Sequence, residues 1–142
     1  MTVTPRLYAD DASLAPGDVV TLRDCVDLMT VEAVHMETFG PVLDCIWFEG
    51  DDSLRYRRFP ASAVDVFPRP AEDRVIAKGL DVRLRSRGPV MTVRRLKTRD
   101  AGRFAECVWT GPMGQERRRL FPAETLVLTI LERFEGLAGE AL

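Results

Sequence analysis

Apolar and polar residues alternate along this chain in short runs that glycines, prolines and acidic turns interrupt. A period of two marks strands with one face buried. Residues 19–22, 28–34 and 42–48 read as three strands, a fourth runs to Phe59, and a fifth occupies 64–67. Gly50-Asp51-Asp52-Ser53 supplies turn residues before the fourth. Pro60 ends it, because proline has no N–H for the ladder, and Ala61-Ser62-Ala63 suits one helical turn. In the third strand Leu43, Cys45 and Trp47 share one face, the inward one. The fourth strand breaks the alternation, since Arg57 and Phe59 would share a face; a β-bulge there would shift one residue across the pleat.

The same elements occur twice. Displaced by 62 positions, Met29-Thr30-Val31 falls on Met91-Thr92-Val93, Cys45-Ile46-Trp47 on Cys107-Val108-Trp109, and Phe59-Pro60-Ala61 on Phe121-Pro122-Ala123. Fifteen of the 50 positions in 17–66 are identical in 79–128 without a gap, and three triplets at one offset mean duplication. The second copy then places strands at 82–85, 90–96, 104–110, up to Phe121, and 126–130. Its turn is Gly111-Pro112-Met113-Gly114, and Ala105, Cys107 and Trp109 point inward. Five short strands with one helical turn before the last is the plan of an SH3-like barrel. The chain is therefore expected to be all-β, with two tandem SH3-like five-stranded small barrels. The expected units are a polar leader (1–13), a first repeat (14–68), a proline-containing linker (69–75), a second repeat (76–131) and a C-terminal tail (132–142). Leu131, Phe134 and Leu137 would share one side of a short helix in the tail region. Units this small bury little core alone, so the repeats are expected to pack on each other or under the tail.

Composition narrows the function. The 142 residues are 46% hydrophobic and 30% charged, an ordinary globular balance with no membrane-length apolar run. The N-terminus lacks the basic start and apolar stretch of a signal peptide, and three cysteines make no disulfide framework, so a cytoplasmic location is expected. Cys45 and Cys107 read as packing residues. With no Cys-x-x-Cys and one histidine, His35, no metal or cofactor is expected. Asp44 and the pairs Asp10-Asp11 and Asp51-Asp52 read as solvated, and Gly111–Gly114 is no phosphate-cradling loop. No enzyme activity is expected.

Several segments carry a resemblance. Gly17-Asp18-Val19-Val20 and Cys45-Ile46-Trp47-Phe48 in the first repeat, with Ser86-Arg87-Gly88-Pro89-Val90-Met91-Thr92-Val93 in the second, resemble the YodC-like family of small bacterial and phage-encoded proteins. These usually hold a single copy of this unit. The match spans 17–67 and 79–128. The first repeat departs at Asp24-Cys25-Val26-Asp27-Leu28, where the family has a Ser-Gly-Gly-Pro turn. The second departs at Gly79-Leu80-Asp81 and at Thr110. The resemblance implies a bacterial or phage-type protein and transfers no catalytic residue.

Charge separates the copies. Residues 1–72 hold 6 Lys+Arg and 13 Asp+Glu, net −7; residues 73–142 hold 14 and 9, net +5. Arg83, Arg85 and Arg87 alternate onto one face, and Arg117, Arg118 and Arg119 follow on the fourth strand. Like charges this dense repel unless they meet an anion. Phe48 and Tyr56 are aromatic groove candidates of the first copy alone, since Thr110 and Arg118 replace them in the second. These residues point to a binding or adaptor module for a protein partner. The alternative is a nucleic-acid-binding module using the same arginines, although a pI of 5.5 counts against it. Acid-to-base contact between repeats, or between chains, is the remaining use of the asymmetry. No membrane partner is expected.

Overall fold

A computed structural model describes residues 14–25, 27–67, 75–100 and 102–129. The leader, the tail and nearly all of the linker lie outside the described residues. Among the described residues the chain is all-β, with two five-stranded antiparallel sheets and helix only as single 3-10 turns. The first sheet contains β1 (Val19–Leu22), β2 (Met29–Glu37), β3 (Gly40–Phe48), β4 (Leu54–Pro60) and β5 (Val64–Phe67), in the order β4-β3-β2-β1-β5. The second contains β6 (Asp81–Leu84), β7 (Met91–Arg99), β8 (Gly102–Thr110), β9 (Glu116–Pro122) and β10 (Leu126–Leu128), in the order β10-β6-β7-β8-β9. Neither sheet closes by pairing its two outer strands among the described residues.

The duplication extends to backbone detail. Gly17 and Gly79 take φ of +97° and +88°, and each donates its N–H to the carbonyl of the following Val31 or Val93 at 2.8 Å. The 3-10 turns Ala61–Ala63 and Ala123–Thr125 come directly after Pro60 and Pro122. The fourth strands are in continuous register with the third, so the bulge expected there is absent. Arg57 and Phe59 do share a face, opposite Cys45 and Leu43. The arginine is tolerated because its guanidinium stacks over the Phe59 ring at 5.4 Å, as Arg119 does over Phe121 at 5.0 Å. The bulges lie instead on the second strands, between Val31 and Ala33 and between Val93 and Arg95. They release Glu32 and Arg94 from the ladder.

Each repeat has its own core. Val20, Val31, Leu43, Cys45, Phe59 and Val66 anchor the first; Val82, Leu84, Met91, Cys107, Trp109 and Phe121 anchor the second. Burial of Ala105, Cys107 and Trp109 follows the predicted alternation. β3 departs from it, because all of Pro41–Ile46 is buried and Trp47 is only half-buried. The reason is a joint. Ile46 belongs to the second repeat's core, and Phe48 and Leu54 pack against it. The three lie on one face of the β3–β4 pair, where Ile46 is opposite Tyr56 and Phe48 opposite Leu54. The Phe48 ring meets Trp109 edge-on, centroids 5.3 Å apart. Trp109 Nε1 donates to the Asp52 carbonyl at 3.3 Å. Thr30, fully buried, donates its hydroxyl to Ser86 Oγ at 2.7 Å and accepts the Ser86 N–H at 2.9 Å. The repeats thus pack on each other.

Gly88 reports on this joint. A Cβ added there would lie 2.5 Å from the Phe48 ring, at a φ of +134°. At Gly79 a Cβ would meet open space, with φ +88°. Gly79→Ala is expected to cost about 1 kcal/mol through backbone strain alone. Gly88→Ala adds a steric clash and should cost about 2–4 kcal/mol. Urea unfolding of both variants checks this; equal losses would mean that Phe48 is not seated against the turn.

Candidate binding surfaces

The predicted arginines do not form one stripe. β6 and β9 are separated in the sheet by β7 and β8, so Arg83 and the Arg117–Arg119 run do not adjoin through the ladder. Arg83 and Arg85 are half-buried, and Arg85 Nε donates to the Glu124 carbonyl at 2.7 Å. Arg87 is exposed in the β6–β7 turn, at a φ of +83°. On β9 alternation divides the triplet. Arg117 and Arg119 are paired with Trp109 and Cys107 on the inner face, and Arg118 is opposite Val108 on the outer one.

Carboxylates of the same chain meet part of the second repeat's basic charge, Arg118 and Arg119 included. Arg119 grips Glu32 with both terminal nitrogens, at 2.5 and 2.8 Å, and this bidentate pair crosses the joint. On the outer face Glu116 lies between Arg94 (3.4 Å) and Arg118 (3.1 Å), and Glu106 accepts from Arg95 at 3.2 Å. Like charge on adjacent strands is relieved by interleaved glutamates. Arg117 is exposed and has no carboxylate partner among the described residues.

Two clefts adjoin the joint. One, of about 290 Å³, is lined by Asp52, Ser53 and Leu54 from the first repeat and by Trp109, Pro112 and Arg117–Arg119 from the second. The other, of about 400 Å³, belongs mainly to the first repeat and includes Leu28, Trp47, Arg57 and Phe59. Sequence reasoning named Phe48 as a groove residue of the first repeat, and Phe48 lines this second cleft, but Leu28 and Arg57 were missed. The signal that could have revealed the cleft is that Trp47 and Arg57 hold the places of Trp109 and Arg119.

The aromatic predictions separate. Phe48 is half-buried: its ring packs on Trp109 at the joint, and the residue also lines the 400 Å³ cleft. Tyr56 is exposed, but its hydroxyl donates to Asp44 Oδ1 at 2.9 Å. Asp44 itself is buried rather than solvated. His35 Nε2 is 2.7 Å from Oδ2, and Arg58 Nε donates to Oδ1 at 2.7 Å. The register explains the cluster, since Asp44 is directly opposite Arg58 on β4 and flanked diagonally by Tyr56 and by His35 of β2. Burial pushes the Asp44 carboxyl up, but hydrogen bonds from Arg58, His35 and Tyr56 outweigh it and leave the group below its ordinary value. Burial, and then the neighbouring Asp44 or Glu106 charge, pushes the Cys45 and Cys107 thiols up to about 12. Both therefore stay protonated at neutral pH. Cys25 is exposed. Among the described residues no three His, Cys, Asp or Glu side chains are grouped to hold a metal, and no helix is long and apolar enough to cross a membrane.

Two outcomes follow from these environments. A carboxyl whose folded pKa is lowered stabilises the fold above the unfolded-state carboxylate range, and that contribution is lost as pH falls through the folded value. Wild type should therefore lose more stability than Asp44→Asn between neutral and acid pH; parallel urea curves would exclude Asp44 as the source. With a thiol-specific chromogenic reagent, Cys25 should react in the native state, and Cys45 and Cys107 only in denaturant. Rapid native reaction of all three would show that the cores open. Comparison with protein-family models, with curated proteins and with solved structures returns no match to this chain.

Proposed function

We propose that this chain is a non-enzymatic binding module of bacterial or phage type, built from two SH3-like small barrels of YodC-like kind, that serves as a cytoplasmic adaptor for a protein partner. The partner contacts the joint cleft, where Arg117 and Arg118 supply cations and Trp109 and Pro112 an apolar floor. The observation that supports this most is Arg117. It lines the cleft beside a tryptophan, exposed and without an ion pair among the described residues. Arginine next to a desolvated aromatic is the composition of interface hot spots. Arg87 and Tyr56 extend the accessible surface, whereas Phe48 and Arg119 are engaged within the chain. Glu106 and Glu116, set among the outer arginines, disfavour a polyphosphate backbone there.

Pull-down from cells of the source organism tests this. Changing Arg117 and Arg118 together to Ser should cut partner capture about tenfold or more while leaving thermal unfolding within a few degrees. Undiminished capture ends the proposal. Fluorescence anisotropy against labelled duplex DNA, single-stranded DNA and RNA across a salt series tests the other class. Binding that falls steeply with salt and depends on the same arginines would replace the protein partner with nucleic acid.

A further inference from the structure

The two repeats are equivalent in fold but not in occupancy. In the second repeat, the inner-face surface around Trp109 and Arg119 is filled by the first repeat. Phe48 meets the tryptophan edge-on, Glu32 holds the guanidinium, and the Asp52 carbonyl accepts from the indole N–H. The corresponding surface of the first repeat is the 400 Å³ cleft, with Trp47 in the place of Trp109, Arg57 in that of Arg119 and Phe59 in that of Phe121. Arg57 is presented in the same way, stacked on its phenylalanine. Among the described residues it has no carboxylate partner. Leu28 is 42% exposed at the cleft, and Trp47 is half-buried, donating its indole N–H to Glu49 of its own repeat.

We propose that this first-repeat cleft is an open acceptor for a protein surface presenting an aromatic ring and one carboxylate, the chemistry that the first repeat itself presents to the second. The ring covers Trp47 and Leu28, and the carboxylate pairs with Arg57. Asp27 and Glu49 also line the cleft and repel an acidic tract, so the ligand carries a single placed carboxylate. A second copy of this chain is the wrong occupant. At the positions of Glu32, Phe48 and Leu54, the second repeat has Arg94, Thr110 and Glu116. Head-to-tail docking would bring Arg94 to Arg57 and offer no ring. The charge reversal between the repeats thus stops the chain from propagating its own joint and leaves the cleft for another protein.

This rests on reading the chain as a protein-binding module, but it uses a different cleft, so each can fail alone. The test grafts the ligand chemistry onto the full chain as R94E/T110F/E116L. In sedimentation velocity wild type should remain monomeric, while the grafted protein forms concentration-dependent chains. Adding R57E should weaken that association by about tenfold or more. Adding R117S should not change it. R94E/T110F carries the same test should the triple variant not fold. A folded graft that stays monomeric, or chains indifferent to R57E, would overturn the proposal. So would Arg57-dependent association of wild type, which would make a second copy the occupant. Chains that form only after removal of residues 130–142 would make the tail the occupant and overturn it equally.

Discussion

The seating of Phe48 against Trp109, with Glu32 locked to Arg119 beside it, is the contact on which the two-repeat arrangement depends. Five short strands of about 50 residues enclose too little apolar volume to be robust alone. Ile46 adds to the second core from outside it, and Phe48 and Leu54 pack at its edge. Burying one large apolar side chain stabilises by about 1.5–3 kcal/mol, so this patch matters beside a net stability of about 5–15 kcal/mol. The Glu32–Arg119 pair has a different role. Its desolvation offsets much of its Coulomb attraction, and what remains is register, because two parallel hydrogen bonds fix one orientation of repeat on repeat.

A head-to-tail joint between duplicated units uses two different patches, here Glu32 and Phe48 of the first repeat against Arg119 and Trp109 of the second. One copy became the ligand and the other the receptor. At the released bulge position the first repeat has Glu32, which crosses to its neighbour, and the second has Arg94, which turns to Glu116 on its own outer face. Asp44 and Glu106, also equivalent, are satisfied by different donors: His35, Tyr56 and Arg58 in one case, Arg95 in the other. The backbone of the unit was kept while its polar neighbours were exchanged. That is tolerable because the ladder and the inward residues define the unit and the outer face does not.

Strand positions, turns, the inward cysteines and the duplication were legible in the chain, because each follows from residues close in sequence. The fourth-strand bulge was a wrong inference of the same local kind. Alternation alone could not show that an arginine guanidinium stacks over a core phenylalanine at the edge of the core. Asp44 was misjudged for a related reason. Its three donors come from β2 and β4, so its burial became acceptable only once those strands were paired around it.

By itself, then, the sequence determined an all-β chain of two equivalent units with opposite charge, since periodicity, glycine and proline act over a few residues. Tertiary structure decided which charges and rings remain available. It spent Arg119 and Phe48 on the joint, tied Tyr56 to Asp44, left Arg117 facing a cleft, and left Arg57 without a carboxylate among the described residues. That outcome depends on contacts such as Glu32 to Arg119, 87 residues apart, which no local pattern encodes.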